Sequence, residues 1–214
     1  MATRCWPECT LQREALVERA ATLPAGSVLW CPGAESDGLY LVRSGALKVT
    51  RTDRSGTERV LCFALPGDVA GFEDVARQRR DTRAETLATT SLCHIGWPPS
   101  TGDAATGSAL LLPLLQRASA LLHRRSRALH RLEPLPALRE FVTELARSIG
   151  RAEGEGAAAR TRVQLPMTRL EIGQYLGYSE ETVCRTLRHL HRLGELQING
   201  RTLLLPATGQ AEAH

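Results

Sequence analysis

Lysine is almost absent from this chain. Lys48 is the only lysine among 27 lysine and arginine residues, so arginine carries nearly all the positive charge. Arginine presents a planar fork that fits phosphate and guanine edges, although a GC-rich genome that favours arginine codons gives the same composition. Long apolar runs are also missing. The most apolar stretch, Leu110 to Leu115, is interrupted by Pro113 and falls far short of the roughly 18 residues a membrane span needs. Met1 to Thr10 lacks the apolar segment of a secretory signal. These absences predict a cytoplasmic protein with no membrane partner. In a reducing compartment the six cysteines read as free thiols or metal ligands rather than structural disulfides.

The 214 residues, with 43% hydrophobic and 23% charged, are ordinary globular material for one large or two small domains. The net charge of +4 allows a nucleic-acid partner without requiring one. A leader over 1–25 holds Cys5 and Cys9 and then a short helical pattern, Thr10 to Ala21. From Gly26 to about Trp97, short strand-like runs are separated by Pro32-Gly33, Ser44-Gly45, Asp53-Arg-Ser-Gly56 and Pro66-Gly-Asp68. That texture predicts a β barrel or jelly roll over 26–106. Over 107–133 lies a long amphipathic helix. Leu111, Leu115, Ala118, Leu122, Leu129 and Leu132 follow a coiled-coil spacing with Arg125 on the same seam, which reads as a dimerisation helix. Gly150 to Arg162 reads as a surface loop.

The C-terminal segment, 134–214, carries the most specific pattern. Thr168 can cap a short helix to Leu176, Gly177-Tyr178 makes a turn, and Ser179 can cap a second helix that Gly194 stops. On that second helix Val183, Leu187 and Leu190 fall on one face; Glu181, Arg185, Arg188 and Arg192 fall on another. A hairpin follows, Leu196–Ile198 and Thr202–Leu205 joined at Asn199-Gly200. Helix, turn, helix and hairpin make a winged helix-turn-helix, whose second helix enters the DNA major groove. The predicted fold class is therefore α+β.

The run Met167-Thr-Arg-Leu-Glu-Ile-Gly-Gln-Tyr-Leu-Gly177 followed by Glu181-Thr-Val-Cys-Arg185 resembles the DNA-binding domain of the Crp/Fnr family of transcription regulators, Fnr branch. Leu39-Tyr-Leu-Val-Arg-Ser-Gly45, Leu65-Pro-Gly-Asp68 and Gly71-Phe72 resemble that family's effector barrel, a cyclic-nucleotide-binding-like jelly roll. The resemblance implies a homodimer on palindromic double-stranded DNA, acting on RNA polymerase. In the Fnr branch the recognition helix carries Glu, then Ser-Arg, and reads a half-site like TTGAT. Glu181 and Arg185 match, whereas Cys184 stands in the serine position. Thr168, Ser179 and Arg188 complete the expected DNA-binding set.

The resemblance also bears on the signal. The Crp branch binds cyclic AMP through a cassette that opens Gly-Glu and holds an Arg-Ser or Arg-Thr pair. Here Phe72 displaces the glutamate and Thr82 precedes Arg83, so no cyclic nucleotide is expected. The Fnr branch holds a [4Fe–4S] cluster on cysteines, which implies sensing of oxygen, nitric oxide or redox state. Cys93 maps onto its strand ligand, and Cys5 and Cys9 resemble its N-terminal ligands. Cys31 is the expected fourth, on the expectation that the strand ending there is the antiparallel neighbour of the strand carrying Cys93. Cys62 reads as a small core residue. Open alternatives are thiol or disulfide sensing without a cluster, and a haem at His94 or another small ligand. A cupin-type metalloenzyme needs clustered strand histidines, and the strands offer only His94, so the chain is not expected to be an enzyme.

Overall fold

Two four-stranded antiparallel sheets face each other around one apolar layer. Strands β1 (Val17–Leu23), β2 (Val28–Trp30), β3 (Gly38–Ser44), β4 (Leu47–Thr52), β5 (Glu58–Ala64), β6 (Val69–Ala70), β7 (Arg83–Thr86) and β8 (Thr90–Gly96) form them, in the orders β1-β8-β3-β6 and β2-β7-β4-β5. This is the expected jelly roll. The computed structural model describes residues 17–74, 77–96, 113–124, 126, 133–154 and 159–206. The chain divides into two compact units, 1–125 and 126–214.

Trp30, Val42, Leu47, Val49, Cys62, Ala64, Ala84 and Leu92 meet between the sheets. Alternate residues of the β3–β8 pair point the other way. Leu39, Leu41, Cys93 and Ile95 gather on the outer face, where Leu114 of helix α1 (residues 113–124) covers them. Period-two alternation thus buries both faces of β8. Arg117 of α1 donates to the Gly67 carbonyl, and Arg124 pairs with Asp68. Two adjacent residues of the Pro66–Asp68 turn, Gly67 and Asp68, are thus tied to the helix.

Two sequence expectations are corrected here. The stretch read as helical to Ala21 is strand from Val17, with Ala20 opposite Cys93. Edge pairing with β8 satisfies its backbone, which outweighs a weak helical pattern. The segment 150–162 is not a plain loop, because β9 (Arg151–Glu153) and β10 (Arg160–Gln164) join the wing strands β11 (Gln197–Asn199) and β12 (Thr202–Pro206) in one sheet of order β11-β12-β10-β9.

In the second unit Pro134 opens helix α2 (Pro134–Ile149), a position where a missing N–H costs nothing. Helices α3 (Arg169–Leu176) and α4 (Glu180–Arg192) follow, then β11 (Gln197–Asn199) and β12 (Thr202–Pro206). Asn199 pairs with Thr202, so the wing turn is Gly200-Arg201, one residue later than the sequence suggests.

Candidate nucleic-acid interface

Both helices of the pair are capped as their sequences require. Thr168 accepts from the Glu171 N–H, and the Glu171 carboxylate returns to the Thr168 N–H at 2.7 Å. Ser179 accepts from the Thr182 N–H at 3.2 Å. Between them the chain turns at Gly177, whose φ of +78° suits glycine. The helices close up at Gly173, where a side-chain carbon would lie 2.5 Å from the Tyr178 carbonyl oxygen.

Val183, Leu187 and Leu190 are each 1% exposed, and their burial contributes roughly 1.5–3 kcal/mol apiece. Their packing turns the opposite face of α4 outward. Glu180, Glu181, Arg185 and Arg188 are exposed there and make no hydrogen bond or ion pair to any described residue. Four unpaired charges on one helix face do little for the fold, and they are what a groove of base edges and phosphates can engage. Cys184 is partly exposed beside them. Thr168 and Ser179 are exposed too, but their hydroxyls are engaged in caps.

The wing is tied to this pair. Arg169 donates to the Gly200 carbonyl at 2.9 Å, and Arg201 donates to the carbonyls of Leu165 and Pro166. Burial pushes the Arg169 pKa down; the nearby Cys184 thiol counters this and Arg201 adds to it. Behind α4, Arg139 of α2 grips Glu195 through two bonds of 2.6 and 2.7 Å. That pairing holds the Glu195 carboxyl below the usual carboxylate range.

Along α1, Leu115 and Leu122 are 50% and 55% exposed, the surface a dimer seam would use. Ala118 does not share that face. It is buried with Leu114 and Leu121, because four residues from Leu114 it falls on the side packed against the barrel. Leu111, Arg125, Leu129 and Leu132 lie outside the described residues.

The structure places two of the four expected cluster ligands, Cys31 and Cys93, on different sheets. Cys5 and Cys9 lie outside the described residues. Cys93 is fully buried on the outer face of its sheet, flanked by Ala20 of β1 and Leu41 of β3. The antiparallel neighbours of β8 are β1 and β3, whereas β2, which ends before Cys31, pairs with β7 in the other sheet. Cys31 is exposed and takes a bond from Arg83. The expected juxtaposition of Cys31 and Cys93 is corrected accordingly: facing sheets stand about 10 Å apart, and these thiols belong to different ones. Among the described residues no group of three or more His, Cys, Asp or Glu could hold a metal.

Sequence reasoning missed the polar groups inside the barrel. Arg80, with no exposed side-chain surface, lies 4.2 Å from the centre of the Trp30 ring and pairs with Asp37 at 3.0 Å. Thr82 receives the Trp30 indole N–H at 3.0 Å and donates to the fully buried Asp74 at 2.5 Å. Glu73 accepts from the Gly71 N–H and from Cys62. Asp74, Arg80 and Thr82 of this segment are thus bonded within the barrel. Of the five charged residues from Arg77 to Arg83, only the fold reveals that Arg80 turns inward.

Comparison with known proteins follows this division. Residues 21–98 match the cyclic nucleotide-binding domain model, and residues 118–207 match the Crp-like helix-turn-helix domain model. The anaerobic regulatory protein of Pasteurella multocida is 29% identical over 201 residues, covering 91% of this chain and 71% of that protein. The fumarate and nitrate reduction regulatory protein of Salmonella typhimurium is 28% identical over 201 residues, covering 91% and 77%. Among solved structures, FixK2 of Bradyrhizobium japonicum superposes with a TM-score of 0.68 at 24% identity, covering 87% of this chain and 91% of that one. A transcriptional regulator of the CRP family from Thermus thermophilus gives 0.68 at 19%, with the same coverage. These two likenesses show the fold alone.

Proposed function

As a member of the Crp/Fnr family of transcription regulators, a family whose proteins bind DNA as dimers, this chain carries a helix-turn-helix, and we propose that it reads a palindrome of TTGAT-like half-sites. The observation that carries this reading is the outward, unpaired row Glu181, Arg185 and Arg188 on an α4 whose start is capped by Ser179. Arg185 would take a guanine through its fork and Glu181 would accept from a cytosine amino group. Arg188 would meet phosphate, with the caps at Thr168 and Ser179 holding both helix starts in place. Leu115 and Leu122 would pack against a second copy, so that two α4 helices stand one DNA turn apart. RNA polymerase is the proposed target of the bound dimer, and the cytoplasm its proposed location.

Titration of the full chain onto a palindromic duplex and a shuffled duplex, with and without air, tests this. The reading expects at least about a thousandfold preference for the palindrome at physiological salt in one of the two conditions. Equal affinity for both duplexes in both conditions overturns it.

The finer part of the proposal concerns the signal. The names of the Fnr-type relatives point to anaerobic regulation, and Cys93 lies beside the strand that leads back to Cys9 and Cys5. We propose that these three thiolates hold an iron–sulfur cluster, with Cys31 no longer among them. Bound there, such a cluster supplies a centre that oxidants attack. This chain's own part is to fix the segment before β1 against β8 and against the start of α1, through Cys93 and its neighbour Leu114. Cys93→Ala should abolish cluster absorbance after anaerobic purification, and Cys31→Ala should leave it intact. Retained absorbance in the first variant rules out the ligand set.

A further inference from the structure

Strands β1 and β2 are edge strands of the two facing sheets. Beside them opens a cleft of about 140 Å³, lined by Ala21, Leu29, Asp37, Tyr40, Leu92 and His94. Ala21 and Asp37 are exposed, whereas Leu92 and His94 are buried, so the cleft runs from the surface inward. Leu92 and His94 lie on the inner face of β8, back to back with Cys93 on its outer face. None of the six lining residues belongs to the segment 71–83, so the cleft is not the place of the Crp-branch cassette. Its polar groups gather around one carboxylate. The Tyr40 hydroxyl and Arg80 each donate to Asp37 at 3.0 Å, and His94 Nε2 stands 3.5 Å from Asp37 Oδ2. Gly38 makes room for that imidazole, since a side-chain carbon there would lie 2.9 Å from Nε2. Ala21, Leu29 and Leu92 form the apolar remainder.

We infer that this cleft binds a small neutral alcohol, whose hydroxyl donates to Asp37 and whose apolar body packs on Leu29 and Leu92. Size sets the body, because a cavity of roughly 150 Å³ holds one six-membered ring. Asp37 sets the donor. An ionised carboxylate only accepts, at about four positions, and three bonds reach it here, two from Tyr40 and one from Arg80. Against the effect of burial, Arg80 and Tyr40 hold this carboxyl below its ordinary range, so it remains an acceptor at neutral pH. Charge on the ligand is disfavoured with either sign. An anion would meet the Asp37 carboxylate at the mouth. A cation would bring a second positive charge to a carboxylate that Arg80 already neutralises, with that guanidinium 5.7 Å from the centre of the Tyr40 ring. The competing account is a crevice that holds water alone, which predicts no preference among solutes of one size. This inference stands apart from the DNA-reading proposal and does not need it.

The test is calorimetric titration of the full chain with cyclohexanol, cyclohexanone and cyclohexylamine. The three share one ring and differ at the polar atom, which is a donor, an acceptor alone and a cation. Cyclohexanol should bind at one site per chain and about tenfold more tightly than either of the others, the margin that a hydrogen bond to a charged group supplies. Ala21→Phe fills the mouth from an exposed position and should abolish saturable cyclohexanol binding, with thermal unfolding showing that the variant folds. Proton NMR contacts from the bound ring to the Leu29 and Leu92 methyl groups locate it in the unsubstituted protein. Absence of saturation by about 10 mM cyclohexanol overturns the inference. So does equal or tighter binding of the ketone or the amine, undiminished binding to a folded Ala21→Phe variant, or ring contacts confined to other methyl groups.

Discussion

Arg80 has no exposed side-chain surface, yet its partner Asp37, 3.0 Å away, is half in solvent. The pair thus has one dry end and one wet end. Burying a guanidinium is costly unless it stays paired, and here Trp30 beneath it and the Gly38 carbonyl share the load. The Tyr40 hydroxyl and Arg80 both hold the Asp37 carboxylate below its ordinary pKa, against the opposing effect of burial.

Asp37→Asn should therefore cost far more than its exposed position suggests. We expect a loss of about 2 kcal/mol in urea unfolding, against the ±0.5 kcal/mol usual for a surface substitution. The substitution leaves Arg80 buried without its counter-charge. A loss under 0.5 kcal/mol would mean that Trp30 and Gly38 suffice for the guanidinium.

Asp74 makes a pH prediction. Burial raises its pKa, and the hydrogen bond it shares with the Asp81 carboxylate raises it further. A carboxyl whose pKa is higher folded than unfolded stabilises the protein most when protonated in both states, and that contribution falls as pH rises through the folded pKa. The melting temperature of wild type relative to Asp74→Asn should then be highest below about pH 4 and decline as pH rises above it. A difference that grows with pH contradicts the assignment.

The two faces of α1 should separate assembly from folding. Leu115→Glu with Leu122→Glu should leave the barrel folded while yielding monomers in sedimentation and at least tenfold weaker DNA binding. Leu114→Ala removes a side chain that is 2% exposed, so it should cost about 2–5 kcal/mol of stability. A dimer that survives the double glutamate substitution would place the seam elsewhere.

The DNA-binding half was the more legible part because its signals are local. Thr168, Ser179 and Gly177 act within one turn of where they stand, and the spacing of Val183, Leu187 and Leu190 states which face is buried. The barrel half depends on pairing at long range. Nothing within Val17–Leu23 announces that it lies against Thr90–Gly96, and that single pairing moved Cys31 away from Cys93. Arg80 was illegible for the same reason: a charge among charges in sequence, it is fixed by Trp30, fifty residues away. Ala118 fits a heptad on paper, but the barrel claims it.

The central claim is that Arg185 reads a base through its side chain. The most direct measurement is a double-mutant cycle between Arg185→Ala and replacement of the guanine pair in the TTGAT-like half-site, with affinities taken at one fixed salt concentration. The account predicts a coupling of about 1–3 kcal/mol between residue and base pair. Coupling near zero, with both changes simply adding, would mean that Arg185 contacts phosphate or nothing at all, and would contradict the account.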